Sequence, residues 1–244
     1  MHLAVFLPYL IIGFGLALGQ ARLRPAMRPW GICMIGALSG PVIMTALIAV
    51  DQMPSWYLIG SSVAPFAVVF IMVVRDLSYP PINDVTTDTC NPPLFTAALR
   101  SAGNKGRDMT YPQSFKSKAR KAFPSIRSLK LNEPADRIFD KIVDVANRQR
   151  GWRVHYTDAA KRTMEAEAVT PFLGFADDIV IQVTEQEGMT QVDMRSKSRE
   201  GLVDAGTNAK RIAGFLEGLR QSGAGDPENA NLLPTTITKG GALS

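Results

Sequence analysis

The densest run of chemistry-bearing residues is Arg195-Ser-Lys-Ser-Arg-Glu-Gly-Leu-Val-Asp-Ala-Gly-Thr-Asn-Ala-Lys-Arg211. Strand alternation sets Met194, Ser196 and Ser198 on one side, so two hydroxyls fall where apolar side chains are expected. Buried there, they require partners. Asp204, Asn208 and Arg211 follow at helical spacing and can face the strand end. Upstream, Phe175-Ala-Asp-Asp178 offers Asp177 and Asp178 as carboxylates for Arg195, Arg199 or Arg211. Two chemistries suit this set. One is an internal network of ion pairs and caps that closes the fold. The other is a site for a peptide or an anionic head group, held by paired guanidiniums and helix N-terminal amides. Four bases at one junction (Arg195, Lys197, Arg199, Arg211) repel unless anions lie close. The network reading therefore predicts that losing Asp177 or Asp178 lowers stability.

A second basic run, between Lys105 and Lys130, holds eight Lys or Arg against the single acid Asp108. Lys116, Lys118, Arg120 and Lys121 are its centre. Beside a bilayer they would attract anionic lipid head groups; otherwise they are a solvated face. Only Tyr111, Phe115 and Phe123 interleave with them, so no nucleic-acid partner is expected. No catalytic residue and no metal ligand is assigned. The histidines are His2 and His155 alone, and Cys33 and Cys90 have no zinc or disulfide spacing. Gly13-x-Gly15 and Gly201-x-x-x-x-Gly206 lack the strand-to-helix setting of a phosphate loop, so no cofactor is expected. Asp84 and Asp88 are read as turn formers.

The elements that must carry these groups differ sharply along the chain. Hydrophobic residues make up 46% and the net charge is +5, but residues 1–74 contain only Arg22, Arg24, Arg28 and Asp51 as charged groups. Three uncharged apolar stretches, about 3–19, 31–50 and 56–74, have the length of membrane spans. They predict a three-helix transmembrane region and a multi-pass inner-membrane protein, with the first stretch alternatively a cleaved signal peptide. Membrane lipids would then be a partner. Gly36-x-x-x-Gly40 fits close helix packing, and Trp30, Trp56 and Tyr57 sit at span ends. Arginines in the first loop place the C-terminal domain in the cytoplasm by the positive-inside rule.

Residues 75–123 are expected to form an extended, basic linker, 124–220 an α+β domain, and 221–244 a disordered tail. Within the domain, 125–131 predicts a strand. Asn132-Glu-Pro-Ala-Asp136 starts a helix whose apolar face includes Ile138, Ile142 and Val145. Four alternating segments follow, from Trp152, Met164, Ile179 and Thr190 onward, with Glu187-Gly188 as a hairpin turn. Asp204 is an N-cap for a last helix burying Ile212, Phe215, Leu216 and Leu219. The expected fold is an antiparallel sheet of about five strands with two helices on one face.

Three motifs, "PPINDVTTDTCNPPLF", "GFADDIVIQV" and "MRSKSREGLVDAGTNAKRI", resemble the uncharacterised family known as domain of unknown function 1499. The resemblance covers about residues 78–220 and marks Asp84, Asp88, Phe175, Asp177, Asp178, Arg195, Ser196, Ser198, Arg199, Asp204, Gly206, Asn208 and Arg211. It implies no activity, and it implies an exported, periplasmic domain, against the loop charges. The function expected is a membrane-anchored, non-catalytic binding or assembly module whose partner is an envelope protein or an anionic head group. The alternative is an enzyme on a membrane or envelope substrate, using the Asp177/Asp178 and Arg195/Arg199 cluster. A convergent pocket would mark the enzyme; carboxylates occupied by Arg partners would mark the module.

Overall fold

The three apolar stretches are helical, as a run of Leu, Ile, Ala, Val and Met without charge favours. In the computed structural model, which describes residues 6–20, 27–49, 56–171, 174–201 and 203–222, they form α1 (Leu7–Gln20), α2 (Met27–Ala49) and α3 (Trp56–Asp76). Gly36 lets α2 approach α1: a Cβ there would lie 2.9 Å from the Pro8 carbonyl oxygen and 2.8 Å from the Ile12 side chain. Among the described residues, however, no helix is long and apolar enough to cross a membrane. With 14 residues, α1 is about 21 Å long at 1.5 Å per residue, short of the roughly 30 Å hydrocarbon core. Pro41 lies inside α2 and Pro65 inside α3. Gly36, Ser39, Gly40 and Thr45 in α2 and Gly60, Ser61 and Ser62 in α3 dilute their apolar content. The expected transmembrane region, and with it the multi-pass inner-membrane location on either side, is corrected by this finding.

Two compact units divide the chain, one formed by Met1–Ser78 with Thr170–Phe175, the other by Tyr79–Val169 with Ala176–Ser244. The second unit is α+β. Its elements are β1 (Asp84–Thr86), two 3-10 turns (Ala98–Arg100 and Ala102–Asn104), α4 (Gln113–Ala122), β2 (Leu129–Leu131) and α5 (Ala135–Arg148). Then come β3 (Trp152–Asp158), β4 (Thr163–Val169), β5 (Ala176–Gln186), β6 (Met189–Ser198) and α6 (Thr207–Gln221). Residues 79–123, which the sequence suggests as an extended linker, thus supply a strand, two turns and a helix to this unit. The tail from residue 223 lies outside the described residues.

The sheet is antiparallel in the order β1-β6-β5-β4-β3, and β2 shares the outer edge of β6 with β1. β1 sits opposite Arg195–Lys197 and β2 opposite Thr190–Val192. β5 and β6 form a long hairpin closed at Glu187-Gly188, both with positive φ (54° and 76°), the backbone that a two-residue hairpin turn requires. One sheet face carries Met164, Ala166, Ile179, Ile181, Val192 and Met194. It is buried under α5 (Ile138, Phe139, Ile142) and α6 (Ile212, Phe215, Leu216). Trp152 on β3 stacks on Phe215 at 5.2 Å. Both helices lie on one face, as the sequence predicts.

The opposite face is unusual, because it is both charged and buried. Cross-strand register lines up Glu167, Asp178, Lys197 and Asp84 in one row, and Glu165, Val180, Arg195 and Thr86 in the next. Glu165, Asp178, Asp84 and Arg195 are no more than 1% exposed. The cover is irregular chain rather than helix: Phe95, Ala98 and Met109 pack on Val180.

Candidate functional site

The Arg195–Arg211 segment with Asp177 and Asp178 separates into two networks, one on each sheet face, because neighbouring strand residues point opposite ways. On the helix-covered face, Ser196 Oγ donates to Asn208 Oδ1 at 2.7 Å. Asn208 Nδ2 donates to Ser198 Oγ at 3.0 Å and to the Asn83 carbonyl at 3.2 Å. Arg211 reaches Ser196 Oγ at 3.0 Å and pairs with Asp177 at 2.5 Å. The two buried hydroxyls therefore have partners, Asn208 and Arg211, both from α6.

Asp204 accepts the backbone N–H groups of Gly206 and Asn208 at 2.9 Å each. This is its expected capping role, although the helix proper starts at Thr207 after Gly206 at φ 74°. Burial pushes the Asp204 carboxyl above the ordinary carboxylate range. The N–H bonds from Asn208 and Gly206 oppose that rise, and the negative charge of Asp177 adds to it.

On the second face, the Arg195 guanidinium is wholly enclosed. Its Nε and Nη2 bind the two Asp84 oxygens at 2.9 and 2.7 Å, and its remaining donors reach the Pro93 and Met109 carbonyls at 3.2 and 2.8 Å. Phe95 and Tyr111 present ring faces to it, with centroids 4.8 and 5.5 Å away. Lys197 adds a second cation to Asp84 at 3.0 Å. Asp84 is thus no turn former but the counter-ion of two buried bases, while Asp88 does shape a turn, accepting the N–H groups of Cys90 and Asn91. Tyr111 has a buried hydroxyl without a partner among the described residues. Burial, reinforced by the Asp84 charge, pushes its phenol up to about 12.

Arg199 bridges Asp178 (Nη2–Oδ1 2.5 Å) and Glu167 (Nη1–Oε1 2.6 Å). Asn104 Nδ2 takes the other Asp178 oxygen at 2.8 Å. Glu165 binds no cation in this cluster; its oxygens accept the N–H groups of Thr96, Ala97 and Ala98 and the Thr96 hydroxyl, at 2.6–2.9 Å. It fastens the covering chain to the sheet.

The structure therefore gathers every residue of the Arg-Ser-Lys-Ser-Arg segment into ion pairs or hydrogen bonds. It brings Asp177 to Arg211 and Asp178 to Arg199, but neither to Arg195. Sequence reasoning missed Glu165 and Glu167, and it read Asp84, which the family resemblance marks, as a turn former. The signal for the two glutamates was present, since Met164, Ala166 and Ala168 facing the core sends both to the opposite face; what was not legible is that this face is covered.

None of these carboxylates lines any of three grooves described among these residues. One concavity lies elsewhere in the unit. It is a groove of about 380 Å³ between α4, β1 and β2, with Arg120, Arg127 and Lys130 on its lining. Of the four basic residues singled out on α4, Arg120 faces this groove, whereas Lys116, Lys118 and Lys121 do not line it. Among the described residues no group of His, Cys, Asp and Glu could hold a metal ion.

No curated protein matches the chain in sequence. The motif order that suggested a family is borne out: a family model matches residues 84–219, from β1 to the last turn of α6 and more than half of the chain. The chain belongs to the family described as Protein of unknown function (DUF1499).

Proposed function

We infer that the α+β unit is a binding or assembly module without catalytic chemistry of its own, recognising an anionic group or a partner protein. The observation that carries this reading is the occupation of the Asp178 carboxylate, with Arg199 on one side and Asn104 on the other. A general acid or base must have an oxygen within reach of a substrate proton, and Asp178 is 1% exposed with both oxygens engaged. Asp177 is likewise held by Arg211 and is 4% exposed. Fixed charges of this kind support a rigid scaffold, and a rigid scaffold favours recognition by surface groups that stay free.

Thermal unfolding of full-length Asp177→Ala and Asp178→Ala tests the reading. Each leaves a nearly buried guanidinium without its main carboxylate, so each should unfold at lower temperature than the parent, with Asp178→Ala softened by Glu167. Unchanged or raised stability in both variants would overturn the reading and assign the cluster to substrate chemistry, since groups held in strained juxtaposition for function relax when removed.

A further inference from the structure

Building on the binding-module reading, we propose that the groove between α4, β1 and β2 is a binding site for a phosphate monoester carrying a short apolar group. Three cations and one carboxylate line it: Arg120, Arg127 and Lys130 against Asp88, a formal balance of +3 − 1 = +2. That suits a dianion. Asp88 is already turned to its own loop, with Oδ1 accepting from Cys90 and Asn91 at 2.7 and 3.0 Å.

The cations are available. Arg127 and Lys130 are exposed and have no polar partner among the described residues. Arg120 has only a weak acceptor, the Cys90 sulfur, at 3.1 Å from Nη2. Guanidinium and ammonium groups converging on one cavity match the several acceptor oxygens of a phosphate.

A second observation is independent of charge. Thr89 lines the same groove, and its hydroxyl is buried and has no hydrogen-bond partner among the described residues. A buried donor left unpaired is costly and uncommon, and a ligand oxygen in the groove would satisfy it. The neighbouring hydroxyls are not free in this way: Thr87 and Ser128 donate to Asp193 at 2.8 and 2.5 Å, and Gln191 Nε2 donates to its other oxygen at 2.7 Å. Asp193 is not on the lining; these three donors hold its carboxylate behind the wall.

The apolar part of the ligand follows from the remaining wall. Val85, Ala119, Phe123 and Ile126 line the groove beside the cations. Each is no more than 8% exposed, so the gain comes chiefly from the ligand: an ester with a few methylene groups would bury its own chain against their edges, which inorganic phosphate cannot do.

The test is calorimetric titration of the full-length protein with butyl phosphate and with inorganic phosphate. Saturable binding of butyl phosphate is expected, tighter than inorganic phosphate by about tenfold or more. Arg127→Gln with Lys130→Gln should weaken it by about tenfold without moving the unfolding temperature, because both side chains are exposed and unpaired. Thr89→Val should also weaken binding and leave stability intact, since its hydroxyl has no partner to lose. Absence of saturable binding, equal affinity for the two phosphates, or undiminished binding in the double variant would each overturn the assignment. Those results would leave the module reading standing as long as Asp177→Ala and Asp178→Ala still lower stability, so the two failures are distinguishable.

Discussion

Glu167 and Asp178 sit directly opposite each other on adjacent strands, two carboxylates in paired register on a buried face. Like charges so placed repel. The pairing survives because Arg199 lies across both, and the turn carrying Gly103 closes over the guanidinium, where a Cβ would lie 3.0 Å from Nη1. The network is therefore a device for tolerating a register that the hydrophobic face dictates, since shifting the strands by one residue would turn the apolar core outward.

Arg199→Leu removes the bridge and leaves two shielded carboxylates facing each other. Breaking a buried pair in this way costs about 3–5 kcal/mol, somewhat less here because Arg153 also reaches Glu167 at 2.6 Å from a largely exposed position. Glu167→Gln in the Arg199→Leu background should recover part of the loss. Chemical denaturation of the parent, the two single variants and the double variant gives the coupling. Additive effects would show that Arg199 does not join the two acids.

Asp84→Ala should be the most damaging of the single carboxylate changes, because two cations, Arg195 and Lys197, depend on it and all three are buried. A loss of about 3–5 kcal/mol is expected. Asp88→Ala, at a carboxylate that accepts the Cys90 and Asn91 N–H groups and makes no ion pair among the described residues, should cost about 1 kcal/mol or less as lost turn bonds. Comparable melting temperatures for the two variants would refute the assignment of Asp84 as the central counter-ion.

Much of the second unit was legible in the sequence, for a physical reason. The period-two runs at Trp152, Met164, Ile179 and Thr190 and the amphipathic α5 and α6 each bury one regular apolar face, and pattern alone reveals such faces. β1 was not legible. Three residues in a Pro-, Asn- and Thr-rich stretch read as a turn, and only pairing with Arg195–Lys197 makes them a strand. The charged second face was hidden for a related cause, since Glu165 and Glu167 alternating with alanine look like a solvated edge until chain from elsewhere covers them. At the N-terminal end the error ran the other way. Apolar composition over 3–19, 31–50 and 56–74 suggested spans, but among the described residues no helix is long and apolar enough to cross a membrane. Of the candidate site, the participants were found and their partners largely were not, because pairing depends on register, which one strand read alone does not carry.

Tyr111→Phe separates ring from hydroxyl. The ring faces Arg195 and is buried, while the hydroxyl has no partner among the described residues. Removing an unpaired buried hydroxyl should leave stability unchanged or raise it by up to about 1 kcal/mol. Tyr111→Leu, which removes the aromatic face as well, should cost about 1–2 kcal/mol through the lost cation–π contact. A Phe variant as unstable as the Leu variant would mean that the hydroxyl, not the ring, is what matters.

Asp204 couples stability to pH with a sign that differs from the usual carboxylate. Its folded-state carboxyl is held above its ordinary value, chiefly by burial, so the folded protein binds that proton more tightly than the unfolded chain does. The contribution of the protonated group is fully present below the unfolded value and is lost as pH rises through the folded one. Ionising this carboxyl is thus less favourable in the folded protein than in the unfolded chain, even with its two N–H bonds. Asp204→Asn removes the charge but keeps one acceptor oxygen for two N–H groups that Oδ1 and Oδ2 accept separately, so relief of the burial cost is set against one lost bond, and the variant should stay within about 1 kcal/mol of the parent at pH 7. The difference should shrink as pH falls and the parent carboxyl takes up its proton. Asp204→Ala removes the acceptor and should cost about 1 kcal/mol at either pH, as loss of a helix cap does. Paired melts of the three proteins at pH 7 and in mild acid decide the point: an Asn variant less stable than the parent by more than about 1 kcal/mol at pH 7 but equal to it in acid would show that the ionised form stabilises the fold.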